Sequence, residues 1–88
     1  MAAIAKQTDR FSETDIDDEI VVMRLDTGEF FSLEATAATT WRLIDGTRDR
    51  ATLVADLADQ FGAAEDEIAA DVGDFLRELR ERGLIEAA

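Results

Sequence analysis

The sequence predicts an α+β domain, a three-stranded antiparallel sheet followed by three helices. β-branched and aromatic residues gather before Glu34 and are interrupted by a Gly-containing turn. After Glu34 the apolar residues recur at helical spacing through to Leu79. Strands grouped ahead of helices, rather than alternating with them, mark the α+β class. A small sheet packed on three helices resembles a winged helix with its wing moved to the front.

The elements follow in order. Residues 1–9 are mixed in character and are expected to form a flexible N-terminus, leaving a single domain over 10–86. Arg10-Phe11-Ser12 is a short candidate strand. Asp15, Asp17, Asp18 and Glu19 read as a polar connector. Ile20-Val21-Val22-Met23-Arg24-Leu25 is the second strand, with Val21, Met23 and Leu25 sharing one face under the two-residue period. Asp26-Thr27-Gly28-Glu29 is a hairpin signal, because Gly28 can take the positive φ such a loop needs. Phe30-Phe31-Ser32-Leu33 returns as the third strand. Phe31 and Leu33 share one face. Phe30 and Ser32 share the other, so one buried face does not account for Phe30.

In the first helix Ala37, Trp41 and Ile44 form an apolar stripe, and Gly46 stands at the expected C-terminal cap. Asp49 is the candidate N-cap of the second helix. Its apolar face is Leu53, Val54, Leu57 and Phe61, and Gly62 ends it. The third helix starts at Glu65-Asp66-Glu67, acids that suit the positive end of the helix dipole. Its stripe is Ile68, Val72, Phe75, Leu76 and Leu79. Gly83 fits the C′ position of a Schellman ending, with Leu84 and Leu79 as its hydrophobic pair. Asp74–Arg77 and Glu78–Arg82 are surface pairs at helical spacing.

Composition excludes several classes of function. The 88 residues contain no cysteine and no histidine, hence no disulfide frame, thiolate, imidazole base or usual zinc ligand set. Nine basic and 21 acidic residues give a net charge of −12, which opposes nucleic acid as a partner. The charge is spread along the chain, without an acidic tail or a basic patch, and its expected role is solubility. No long apolar run and no signal-peptide pattern is present, so a soluble cytoplasmic protein without a membrane partner is expected.

The abundant acids make carboxylate pairs easy to find. Asp15 to Glu19 resemble part of a calcium loop, but Ile20 stands where the central Gly belongs and Asp26 where the closing Glu belongs. Asp71 and Asp74 flank the stripe of the third helix, a placement that solvation alone explains. There is no Gly-rich phosphate loop and no nucleophile beside a base, so neither catalysis nor a cofactor is expected. An acyl carrier needs an Asp-Ser-Leu, and the only serines, Ser12 and Ser32, lie in the strand region. A DNA-binding winged helix needs a basic recognition helix, whereas residues 50–61 carry Asp56 and Asp59 against Arg50 alone.

Binding through backbone and apolar pockets remains. The strand Glu29 to Leu33 is the last in the chain, and in a meander it lies at an edge. An edge strand offers unpaired N–H and C=O groups. Those groups capture an extended peptide by β-augmentation. The third helix, with its long apolar stripe, is a candidate second wall of a groove. Against this stands the reading that Phe31, Leu33, Val72 and Leu79 are simply core. For Phe30, and for Asp71, Phe75 and Glu78 beside the stripe, the two readings balance.

A further signal lies in the ordered set of motifs. Leu25-Asp26-Thr27-Gly28-Glu29-Phe30-Phe31-Ser32-Leu33 is followed by Ala37, Trp41, Ile44-Asp45-Gly46, Leu53-Val54 and Leu57. Asp71-Val72, Phe75-Leu76, Leu79 and Gly83-Leu84-Ile85 complete it. This series resembles the PqqD-like family, the peptide-recognition elements of ribosomal peptide (RiPP) maturation, over about residues 10–86. Two departures concern caps. Glu34 stands where Asn or Asp is usual, and Asp49 where Thr or Ser is commoner.

The resemblance implies a non-catalytic adaptor that binds the leader region of a precursor peptide and delivers it to a maturation enzyme. It implies that the leader adds antiparallel to the third strand and is clamped by the third helix. Carried over by residue, Glu29, Phe30, Phe31, Ser32 and Leu33 form the strand wall, and Asp71, Val72, Phe75, Leu76, Glu78 and Leu79 the helix wall. The Trp41 context and the length of the chain look most like the lasso-peptide branch, whose adaptor serves a separate leader peptidase and a cyclase. The alternatives are a chaperone of the precursor in pyrroloquinoline quinone assembly with a radical SAM partner, and a winged-helix transcriptional regulator. A monomer is expected, with edge pairing or strand exchange as the routes to a dimer.

Overall fold

A computed structural model describes residues 3–86 of the chain. In order, the elements are β1 (Ala5–Lys6), β2 (Phe11–Ile16), β3 (Glu19–Arg24), β4 (Phe30–Leu33), α1 (Ala35–Leu43), α2 (Arg50–Phe61), α3 (Glu65–Glu81) and β5 (Ile85–Glu86). β2, β3 and β4 form an antiparallel sheet in that order, and β1 pairs with β5 in a separate two-stranded ribbon. The α+β class and the sheet-then-helices order are as the sequence predicts.

The alternation of the sheet is unambiguous. Ile20, Val22, Phe11 and Leu33 turn inward and are buried. They meet Trp41 and Ile44 of the α1 region, Leu53 and Leu57 of α2, and Val72, Leu76 and Leu79 of α3 in one core. Val21 and Met23 therefore lie on the outer face, opposite Ser32 and Phe30 of β4. Leu25 lies beyond the end of β3 and is exposed.

The strand that the sequence suggests at Arg10–Ser12 runs on to Ile16. Residues 15–19, expected as a connector, are the end of one strand, a tight turn and the start of the next. Ile16 pairs with Glu19, and Asp17 takes a φ of 56° in the turn between them. Asp and Asn tolerate that conformation better than other side chains. The segment lacks an apolar alternation because its side chains are exposed. Backbone pairing to β3 holds it.

The N-terminus also differs from expectation. Ile4 is 1 % exposed and sits in the core. Its N–H donates to the Arg48 carbonyl and its own carbonyl accepts from Gly46 N–H. Ala5 and Lys6 pair with Glu86 and Ile85. The apolar burial of Ile4 and this ribbon outweigh the entropy of a free tail. Residues 1 and 2 of the expected flexible stretch lie outside the described residues.

The helix ends follow their signals closely. Asp49 caps α2 by accepting from Thr52 N–H at 2.9 Å, and Gly62 ends it in the left-handed region. Leu84 N–H donates to the Leu79 carbonyl and Gly83 N–H to that of Arg80, both at 3.0 Å. These are the two bonds of a Schellman ending, with Gly83 at φ 73°. α1 stops at Leu43, short of Gly46, with Ile44 as its C-cap. Glu34 precedes α1 without a side-chain cap bond. Phe61 is 44 % exposed, and Ala58 takes its expected place on the buried face of α2.

Candidate peptide-binding groove

β4 is the free edge of the sheet, and its hydrogen-bond parity determines what that edge offers. Arg24 N–H donates to the Glu29 carbonyl. In an antiparallel ladder, hydrogen-bonded pairs alternate with non-bonded ones. The Val22–Phe31 and Ile20–Leu33 pairs are therefore bonded. The N–H and C=O of Phe30 and Ser32 point away from β3 and have no backbone partner among the described residues.

α3 lies on the Phe31 side of this strand. The Arg82 guanidinium sits 4.1 Å from the centre of the Phe31 ring, a cation–π contact. Arg82 also donates to Glu78 at 3.1 Å. Phe31 and Phe75 are half-buried and packed against the core.

Further toward the start of α3 the groove deepens. A pocket of about 250 Å³ lies between α1 and α3, lined by Thr36, Ala37, Thr40, Ile68, Asp71, Val72 and Phe75. Its walls are mostly apolar. Thr40 is buried and spends its hydroxyl proton on the Thr36 carbonyl at 2.7 Å. Asp71 is exposed and has no ion-pair partner among the described residues.

The eleven residues singled out from the sequence separate into distinct places. Phe31 on β4 and Asp71, Phe75 and Glu78 on α3 are accessible: Asp71 and Phe75 line the pocket, and Glu78 holds the Arg82 guanidinium that covers Phe31. Leu33, Val72, Leu76 and Leu79 are buried in the core at 7 %, 3 %, 2 % and 3 % exposure. Their side chains support the groove from beneath, although Val72 reaches the pocket lining. Glu29 and Ser32 are exposed, and Ser32 donates from its hydroxyl to Glu19 at 3.4 Å. Phe30 is 70 % exposed, on the face of the sheet opposite Phe31 and α3. Its backbone belongs to the open edge, but its side chain does not face α3.

Sequence reasoning missed the α1 contribution of Thr36 and Thr40. The available signal was the small residues of Ala-Thr-Ala-Ala-Thr-Thr at residues 35–40, which leave room beside a helix. Ala37, on the apolar stripe of α1, both packs against the core and lines the pocket.

The perturbed titrating groups serve the scaffold. Asp45 is held below the usual carboxylate range by hydrogen bonds from the Thr47 hydroxyl and N–H and by Arg48. Asp49 is held low by its cap bonds to Thr52. Burial lowers the Lys6 ammonium, opposed by Glu13 and Asp45. Asp15, one of the calcium-loop candidates, binds Arg42 at 3.1 Å. No helix among the described residues is long and apolar enough to cross a membrane.

Comparison with known proteins places this architecture. The family described as Coenzyme PQQ synthesis protein D (PqqD) matches residues 19–85. No curated protein matches the chain. Among solved structures, "TbiB1 in Complex with the TbiA(beta) Leader Peptide" is similar with a TM-score of 0.82 and 29% sequence identity. That similarity covers 91% of this chain and 93% of the other. With the match running from the start of β3 to the start of β5, the chain belongs to the PqqD family.

Proposed function

We propose that this protein is a non-catalytic adaptor that binds the leader segment of a ribosomally made precursor peptide and presents it to a maturation enzyme. The observation that carries the reading is the open edge of β4 beside the α1–α3 pocket. The Phe30 and Ser32 backbone groups offer a register for an antiparallel strand. Phe31, Phe75 and the pocket at Asp71 offer side-chain sites on one face of that strand. A similar fold solved with a leader peptide supports the same reading.

The direction of the added strand follows from that of β4. β4 runs from Phe30 toward α1 and the pocket. An antiparallel peptide therefore enters with its N-terminal part at the pocket and leaves past Phe31 and Arg82. Every second side chain faces α3. Each apolar anchor that becomes fully buried contributes about 1.5–3 kcal/mol.

A leader peptidase and cyclase of a lasso-peptide pathway are the proposed recipients. A second reading, delivery of the precursor to a radical SAM enzyme in pyrroloquinoline quinone assembly, draws on the description of the matching family. A winged-helix regulator is disfavoured by the net charge of −12 and the acidic α2.

The experiment is an amide-shift titration of the labelled protein with the leader half of a precursor encoded nearby. Shifts concentrated at Glu29–Leu33 and Asp71–Leu79 are expected. Saturating leader without shifts at β4 would overturn the reading.

A further inference from the structure

The outer face of the sheet carries an apolar row that the groove does not use. Met23 stands directly opposite Phe30, and Ser12 opposite Met23. Val21 lies next to Met23 on the same face, opposite Ser32 and Thr14. The three helices pack against the other face, where Phe11, Ile20, Val22 and Leu33 are buried. Met23 is half-buried, while Phe30, at the open end of the row, is 70 % exposed.

An aromatic side chain on a strand gains from neighbours on both adjoining strands. Phe30 has one such neighbour, Met23, and an empty side at the free edge. A large exposed aromatic on an unpaired edge is a liability for a free protein. The backbone of the same residue points its N–H and C=O outward. A strand added to β4 thus sets one of its residues directly opposite Phe30, side chain on the outer face.

We propose that a peptide added to β4 is read on both of its faces, and that Phe30 selects an apolar side chain at the peptide position opposite it, away from α3. This rests on the adaptor reading above. It assigns the alternation of the recognised segment. Peptide residues opposite Phe31 and Leu33 face the groove. The residue opposite Phe30 completes the Met23–Phe30 row, and the one opposite Ser32 meets a polar neighbour.

The test uses a displayed library of random short peptides, selected separately on the wild-type chain and on Phe30→Ser and Phe30→Leu. Peptides enriched on the wild type should carry an apolar residue at one outward position, at an odd offset from the groove-facing pair. Phe30→Leu should keep that preference and Phe30→Ser should lose it, with the groove-facing preferences unchanged. For one enriched peptide, an apolar-to-Ser change at that position should weaken binding to the wild type by up to about fivefold. The same change should cost Phe30→Ser almost nothing. Equal losses on both chains, or no preference at that position, overturn the proposal while the adaptor reading stands. Enriched peptides that leave the β4 amides unshifted overturn both. Phe30 buries little in the free protein, so an unchanged melting temperature of each variant confirms that folding is not what is read.

Discussion

The indole N–H of Trp41 donates to the Glu13 carboxylate across 2.9 Å, tying α1 to β2 beneath the sheet. Phe11 meets the same indole edge-on at 5.2 Å, and the Lys6 ammonium lies 4.4 Å above it. Trp41 is fully buried, so its N–H depends on this one acceptor. Glu13→Ala should cost about 1–3 kcal/mol through the unsatisfied donor. Glu13→Gln keeps an acceptor and should cost less. Trp41→Ala should cost about 3–5 kcal/mol and unfold most molecules of so small a domain. Urea unfolding followed by circular dichroism compares all three.

The parity of β4 predicts that two neighbouring prolines behave oppositely. Ser32→Pro removes an outward N–H and should leave the β3–β4 ladder intact. Leader affinity should then fall by about tenfold or more, with little change in melting temperature. Phe31→Pro removes an N–H that bonds to Val22, and should destabilise the domain itself. Calorimetry of binding and of unfolding on both variants separates the effects.

Filling the pocket from α1 should block it without harming the fold. Ala37→Leu projects into the space of about 250 Å³ shared with Val72 and Phe75. Added apolar contact should leave stability unchanged or raise it by about 1 kcal/mol. Leader binding should weaken by about tenfold if an anchor side chain occupies that space. A fluorescence-anisotropy titration checks the affinity.

Acid should loosen the scaffold through Asp45 and Asp49, whose carboxyls lie below the usual value of 3.8. A carboxyl lowered in the folded state contributes stability above its unfolded pKa and loses it as pH falls through the folded one. The loss should therefore appear below about pH 4. Asp49→Asn still accepts from Thr52 N–H and should flatten that part of the curve. Urea midpoints measured across the acid range provide the comparison.

The legible parts of the fold were those written in apolar spacing or in caps. α3 could be read because Ile68, Val72, Leu76 and Leu79 repeat over its length and Gly83 closes it. Asp49 and Gly62 bracket α2 in the same way. β2 was only partly visible, because Ser12 to Ile16 are exposed and carry no burial pattern. The β1–β5 ribbon was invisible, since two residues on each strand are too few for any periodicity. Phe61 looked like core because it continues the α2 spacing, yet it falls in the last turn, past the packed surface. For the groove, the edge strand and the exposure of Phe30 follow from alternation. The α1 side of the pocket does not, because it is made by the absence of bulk at Thr36 and Ala37.

Amide hydrogen exchange at β4, with and without the leader, tests the central claim most directly. Phe31 and Leu33 amides, bonded to β3, should be protected in both states. Phe30 and Ser32 amides should exchange freely in the unbound protein and become protected when the leader is saturating. Free exchange at Phe30 and Ser32 under saturating leader would contradict strand addition at this edge.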